Sequence, residues 1–395
     1  MHVFDIISIF PDYPPLKSIV SMKNQLQFLQ IHLYFADYKF ALLCFFTAFV
    51  VTLLTIPPII YFVRKYRLYD LPNSRKEHAI PIPTMGGIAI IGGMLAALGL
   101  WFPFTGDPFI VTFFLSVIIL FSMGIMDDLK DLSAKYKFMI EIVLAILIAV
   151  SGIKITSFNG LFGIYDLPIT AQYTFTVLAI VGITNAFNLL DGIDGLAGGL
   201  GFMSLVTLGI FLTLSKEPTF ALIAFAMAGA LLAFLYFNLN PARIFMGDTG
   251  SLVLGFVISV LCIKLIQANN TSGLRILGHA PVFTLGIVLI PVFDTLRVFA
   301  ERIWKGKSPF HADKTHIHHL LTNAGYSHAL AAKLICIVHA VILMSMYWLK
   351  ELRQEIILGL LILTILLATL IFKNMGTMRK KLPQKRGFGE FELRA

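Results

Sequence analysis

Apolar stretches long enough to cross a lipid bilayer recur along almost the whole of this chain, and no other feature limits its fold so strongly. A bilayer core about 30 Å thick is spanned by a helix of roughly 17–25 apolar residues. Inside it every backbone polar group must be satisfied within the protein, and for runs of this length the helix does that. Such runs fall near 40–63, 85–102, 109–126, 137–153, 172–189, 196–214, 219–237, 250–268, 279–299, 329–348 and 355–373. The expected fold is an all-α integral membrane protein, a polytopic bundle of about eleven transmembrane helices over residues 40–373. Residues 1–39 precede it as an N-terminal extension or interfacial segment, and 374–395 follow as a basic cytoplasmic tail.

Charge fits the same picture. Only 13% of residues are charged and 57% are hydrophobic, whereas soluble domains carry about a quarter charged residues. The formal net charge is +9. In a soluble protein that surplus would suggest nucleic acid; here cytoplasmic loops and anionic lipid heads account for it, and no nucleic-acid partner is expected. With residue 39 outside, 21 of the 31 Lys and Arg fall at the inside segments 64–84, 127–136, 190–195, 238–249, 300–328 and the tail, against nine outside. The positive-inside rule therefore puts the N-terminus outside and the C-terminus in the cytoplasm, as an odd number of spans requires. Residues 1–38 have no compact apolar region with a cleavage site, so they do not read as a secretory signal. Segment 154–171, with Asn-Gly, Gly and Pro between short β-prone runs, predicts a small periplasmic hairpin. Cys44, Cys262 and Cys336 sit in apolar runs with neither metal-site spacing nor a disulfide framework, and read as reduced packing residues.

A carboxylate at a helix end in a membrane needs a reason. Four polar groups stand out, all on the inside face. The first is Asp127-Asp128-Leu129-Lys130-Asp131, where adjacent carboxylates repel unless a cation relieves them; Asp127 and Asp131 share a face if the helix continues. The plain alternative is a solvated loop. The second is Asn185-x-x-Asn188-x-x-Asp191-Gly192-x-Asp194-Gly195, amides on one helical face followed by a tight turn, or simply an Asx-rich turn capping the next helix. The third is Arg243 to Ser251 around Gly247-Asp248-Thr249-Gly250. There Asp248 is a helix cap, a metal ligand, or both, with backbone N–H groups facing phosphate. The fourth holds His311, Lys314, His316, His318 and His319. Four histidines so close admit zinc, but the acids on this face favour a hard, oxygen-seeking ion and imidazoles that bind phosphate or nucleotide. His339, alone in an apolar run, reads as a packed core histidine, and His279 lies away from every motif. Acids, amides and basic groups gathered on one membrane face suit an anionic, metal-bound diphosphate. A transporter would place its ionisable residues near the midplane of repeated halves, and no such repeat is evident.

The ordered set PNSRKEHAIPIPTMGG (72–87), the Asp127 run, NAFNLLDGIDGLAGG (185–199), FNLNPARIFMGDTGSLVLG (237–255), PVFDTLRV (291–298) and SPFHADKTHIHHLL (308–321) resembles the polyprenyl-phosphate N-acetylhexosamine-1-phosphate transferases. That group, of the glycosyltransferase family 4 type, includes undecaprenyl-phosphate N-acetylglucosamine-1-phosphate transferases. The resemblance spans roughly residues 40–330. It implies transfer of a sugar phosphate from a UDP-sugar to undecaprenyl phosphate with release of UMP, aided by Mg²⁺ or by Mn²⁺ in its place. It implies catalytic roles for Asp127, Asp128, Asp191, Asp194 and Asp248, with Asp248, Asp127 and Asp128 nearest the metal. Arg75, Lys76, Asn185, Asn188, Asn238, Arg243, His311, Lys314, His316, His318 and His319 are then expected to bind substrate. The location implied is the bacterial inner membrane with the site facing the cytoplasm; the partners are the donor, the lipid acceptor and the bilayer, and a homodimer is compatible with this. Asp131, where the peptidoglycan enzyme has Lys, and the spaced rather than consecutive His316, His318 and His319 point to N-acetylglucosamine as the sugar. Because PTMGG is shared with the peptidoglycan enzyme, UDP-N-acetylmuramoyl-pentapeptide and other UDP-N-acetylhexosamines stay open as donors.

Overall fold

The computed structural model describes residues 14–66, 82–104, 106–239, 241–271, 277–308 and 315–381. Its helices are α1 (Pro14–Lys65), α2 (Gly86–Trp101), α3 (Pro108–Lys130), α4 (Ala134–Val150), α5 (Ile169–Leu190), α6 (Leu196–Leu214), α7 (Pro218–Asn238), α8 (Gly247–Thr271), α9 (Ala280–Ile287), α10 (Leu289–Trp304), α11 (Ile317–Thr322), α12 (His328–Trp348) and α13 (Gln354–Lys381). Each of the eleven expected apolar runs is helical, yet they are not equivalent. Eight helices among the described residues have the length and hydropathy of a membrane span, and α9 with α10, bent by 75°, make a ninth if taken as one. The other two are shorter: α2 has 16 residues, and α4 has 17 and carries Lys135, Lys137 and Glu141. Helix α1 runs 52 residues without a break, so the backbone from Pro14 is continuous with the first span.

Hydropathy does not tell inner spans from outer ones: it is 2.2 for both α8 and α12, which differ widely in burial. Helix α8 is the axis of the bundle: 94% of its most apolar stretch is buried, against 28% for α1 and α13. Small residues let backbones approach where lipid offers no hydrophobic drive for helix pairing. A methyl group on Gly124 of α3 would lie 2.4 Å from the Cα of Thr249, and one on Gly255 of α8 would lie 2.7 Å from the Cα of Thr184. Those glycines bring α3 and α5 against α8. The outer helices turn Leu54, Val111, Met344 and Leu370 outward, where the solvent is lipid.

The hairpin read from the turn residues is present: β1 (Ser157–Leu161) pairs antiparallel with β2 (Ile164–Asp166). It docks on the start of α13, where the Gln354 side-chain amide donates to the Asn159 carbonyl at 3.1 Å and Glu355 accepts from the Phe162 N–H at 3.3 Å. At the other end of the bundle the C-termini of α3 and α5 meet the N-terminus of α8.

Candidate active site

The N-terminus of α8 is where the motifs converge. Residues 83–87 and 245–246 form a short backbone ladder: the Phe245 N–H donates to the Pro83 carbonyl at 2.7 Å, and Gly86 and Gly87 N–H groups donate to the Phe245 and Met246 carbonyls at 2.8 Å. Gly247, with φ +71°, then turns the chain into α8; a side chain there would meet the Thr84 carbonyl at 2.2 Å. The chain thus places Asp248 and Thr249 at the end of α3.

Asp128 meets them. Its Oδ1 accepts from the Asp248 N–H at 2.9 Å; its Oδ2 accepts from the Thr249 N–H at 3.2 Å and hydroxyl at 2.5 Å. A helix start leaves N–H groups without partners, and Asp128 satisfies two of them from a different helix. Asp127 points elsewhere. Its Oδ1 accepts from the Leu132 N–H at 2.7 Å, and its Oδ2 takes the Lys137 ammonium at 2.8 Å. The same ammonium reaches Asp248 Oδ2 at 2.7 Å. Helix α3 ends at Lys130 with Asp131 in the left-handed region, so Asp131 is exposed and shares no helical face with Asp127.

The α5 C-terminus closes the other side. Asn188 donates to Ser251 Oγ at 3.0 Å, and Asn185 donates to the buried Glu141 carboxylate and to the Val181 carbonyl. Asp191 caps α5, its N–H donating to the Asn188 carbonyl at 3.3 Å, while its carboxylate makes no hydrogen bond to a described residue. Burial, and then the neighbouring Asp248, Asp128 and Asp194 carboxylates, push its pKa up to about 7. Asp194 accepts from the Ala242 N–H at 3.2 Å, while Asn238 accepts from the Gly195 N–H at 2.8 Å and donates to the Ile244 carbonyl at 2.9 Å. These two residues sew the 191–195 turn to the loop before α8, and Arg243 on that loop is exposed.

The histidine loop is built on α10. Asp294, 1% exposed, accepts from His316 Nδ1 at 2.9 Å, from the Ile317 N–H at 2.9 Å and from Arg297 at 2.7 Å. Arg297 also donates to the Thr315 carbonyl at 2.6 Å. His318 lies against the 191–195 turn so closely that a methyl group on Gly192 would be 2.6 Å from its Nε2. Burial, then the His319 ring beside it, holds the His318 pKa down at about 3. The loop and the acid cluster are therefore one site. Arg75, Lys76, His311 and Lys314 lie outside the described residues.

Sequence reading missed Lys137, Glu141, Asp294 and Arg297 as site residues. Lys137 had counted only towards membrane orientation. Glu141, a lone acid one helical turn beyond Lys137 inside an apolar run, was the signal that could have found both.

The donor set bears on the metal question. Among the described residues no group of three or more His, Cys, Asp or Glu converges on a metal position. Mg²⁺, however, is commonly held by one or two carboxylates with substrate phosphates and water completing the shell. Asp127, Asp128, Asp191 and Asp248 crowd together with the Lys137 ammonium as their one hydrogen-bonded cation among the described residues. That excess of negative charge, with the Asp191 carboxylate making no hydrogen bond to a described residue, fits a hard divalent ion.

Comparison with known proteins gives a consistent result. A profile described as Glycosyl transferase family 4 matches residues 110–266, from α3 into α8. A Bacillus subtilis (strain 168) protein named "Probable undecaprenyl-phosphate N-acetylglucosaminyl 1-phosphate transferase" is 35% identical over 344 residues, covering 85% of this chain and 93% of its own. Proteins of Salmonella typhi and Escherichia coli O157:H7, both named "Undecaprenyl-phosphate alpha-N-acetylglucosaminyl 1-phosphate transferase", are similar at 32% over 284 residues and 31% over 315. The first covers 70% of this chain and 75% of its own length, the second 78% and 83%.

Proposed function

We propose, from the premise that the chain belongs to glycosyl transferase family 4, that it transfers N-acetylglucosamine 1-phosphate from UDP-N-acetylglucosamine to undecaprenyl phosphate. The products are undecaprenyl-diphosphate-N-acetylglucosamine and UMP, and the reaction starts a cell-surface polysaccharide of O-antigen or teichoic acid type. The site faces the cytoplasm from the bacterial inner membrane. The observation that carries the reading is the cluster of Asp127, Asp128, Asp191 and Asp248 around one lysine, at a helix N-terminus and beside the histidine loop.

The acceptor is already a phosphate with a second pKa near 6, so it needs little activation. The barrier lies in bringing two anions together and in stabilising the departing UMP. Asp248 and Asp191 are the residues that would hold Mg²⁺, which when bound supplies charge neutralisation on the diphosphate and orientation for in-line displacement. Lys137, gripped by Asp127 and Asp248, keeps its ammonium beside the diphosphate. Asp128 fixes the α8 N-terminus and so fixes Asp248. The α8 backbone N–H groups and dipole favour an anion at that end. His316 and His319 bind the donor's phosphates or nucleotide from the loop that Asp294 and Arg297 hold. The lipid tail lies against the bundle's apolar flank, with its phosphate at headgroup depth, and Arg75 and Lys76 are the basic residues expected from the sequence to bind it. Direct attack by the lipid phosphate is favoured over a covalent aspartyl intermediate, because the nucleophile is an oxyanion from the start.

A donor panel tests this. Purified protein with undecaprenyl phosphate and Mg²⁺ should release UMP from UDP-N-acetylglucosamine. Turnover only with UDP-N-acetylfucosamine, UDP-N-acetylquinovosamine or UDP-N-acetylmuramoyl-pentapeptide would move the chain to another donor. Labelling of Lys130→Cys by a membrane-impermeant reagent from outside whole cells would reverse the orientation.

A further inference from the structure

Helices α9 and α10 meet at Val288 with a bend of 75°, and the groups that make this bend tolerable belong to other helices. Pro291 has no N–H, so the carbonyl of Ile287, four residues earlier, loses the donor that an unbroken helix would give it. At bilayer depth no water replaces that donor, and a neighbouring helix must. Ser204 of α6 does so: its hydroxyl donates to the Ile287 carbonyl at 3.1 Å. Its hydrogen being committed there, the 3.2 Å contact between Ser204 Oγ and His339 Nε2 has the imidazole as donor. His339 of α12 is therefore the Nε2–H tautomer. Its Nδ1 carries a bare lone pair, in keeping with that atom having no partner among the described residues. Ser204 and His339 are both completely buried, and Ile287 is 1% exposed.

The bend matters because of what stands beyond it. Asp294 lies two helical turns past the freed carbonyl, on the arm that the bend aims, and it holds His316 and Ile317 of the histidine loop. We propose that Ser204 and His339 are positioning residues for the transfer reaction. The relay from His339 Nε2–H through the Ser204 hydroxyl to the Ile287 carbonyl holds the angle between α9 and α10, and that angle sets where the histidine loop meets the donor. The proposal rests on the reading of that loop as the donor's holder. It also assigns a role to an intramembrane histidine that would otherwise be packing alone.

The test compares His339→Leu and Ser204→Ala with His339→Gln and Ser204→Thr, which keep a donor to the serine and a hydroxyl for the carbonyl. The first two should raise KM for UDP-N-acetylglucosamine about fivefold or more, with KM for undecaprenyl phosphate little changed; the conservative pair should stay near wild type. A lower Tm with unchanged donor KM in His339→Leu would reduce the relay to packing and overturn the proposal. Pro291→Ala restores an N–H for Ile287, so in that background Ser204→Ala should no longer affect donor KM; a full additional effect would also overturn it. The spin-label distance between Ile303→Cys and Tyr66→Cys, with the native cysteines replaced, reads the angle without any substrate. An unshifted distance in both His339→Leu and Ser204→Ala overturns the proposal. A shifted distance in a protein inactive towards every UDP-sugar supports the hinge and overturns the functional reading alone.

Discussion

Two carboxylate centres at the same end of this bundle are built in opposite ways. Asp294 is saturated: an imidazole, a guanidinium and a backbone N–H all donate to one buried carboxylate. Around Asp248 the ratio reverses: Asp127, Asp128, Asp191 and Asp248 lie close together, and a single ammonium bonds only Asp127 and Asp248. A buried charge with its partners in place holds its neighbours in register, whereas one short of partners calls for charge from outside. The first centre is architecture that presents the histidine loop. The second is where, on the proposed reading, a metal and a diphosphate would complete the electrostatics.

Asp248→Ala breaks the comparison most severely. Turnover should fall by at least about two orders of magnitude, as for other charge-stabilising groups, while elution in detergent stays unchanged. Near-normal turnover would remove Asp248 from the chemistry. Asp294→Asn should act through the fold. Removing one partner of a buried ion pair costs about 3 kcal/mol, so Tm should drop and donor KM rise together. A lost kcat at unchanged Tm would place Asp294 with the catalytic acids instead. Asp128→Ala should cost about 1 kcal/mol, the value of a helix cap, and Asp128→Asn less, both read by thermal unfolding alongside activity.

The smallest expected effect is on pH dependence. His318 stays neutral in the folded protein down to about pH 3, because burial and then the His319 ring oppose its charge. The unfolded chain takes up that proton near its ordinary value of 6.5. Between those values the unfolded state binds more protons, so stability is complete above pH 6.5 and declines as pH falls. Replacing His318 with Gln should flatten that part of the acid limb of a Tm–pH curve; an unchanged limb would show that the ring is protonated in the folded state.

Much of this molecule could be read before its structure, and the reasons are physical. Span-length apolar runs announce helices because the bilayer permits little else, and Asp127, Asp191 and Asp248 stand out against them because acids at such depth are costly. Spacing could not tell which helix each acid serves. Asp128 looked like a partner of Asp127, yet its oxygens face α8, a contact that depends on Gly124 and Gly247 letting backbones close. Lys137 and Glu141 could not be placed in the site from the sequence because their partners lie on α3, α5 and α8. The bend at Val288 was hidden too, since Pro291 within a hydrophobic run signals a weak point but not its angle.

The measurement that bears most directly on the contrast between the two centres is metal binding followed by the electron-paramagnetic signal of Mn²⁺, with UDP-N-acetylglucosamine present. Wild type and Asp294→Asn should each bind the ion stoichiometrically, although the latter is less stable, and Asp191→Asn and Asp248→Asn should lose it while remaining folded. Retention of the ion by both Asp191→Asn and Asp248→Asn, or its loss from folded Asp294→Asn, would contradict the account.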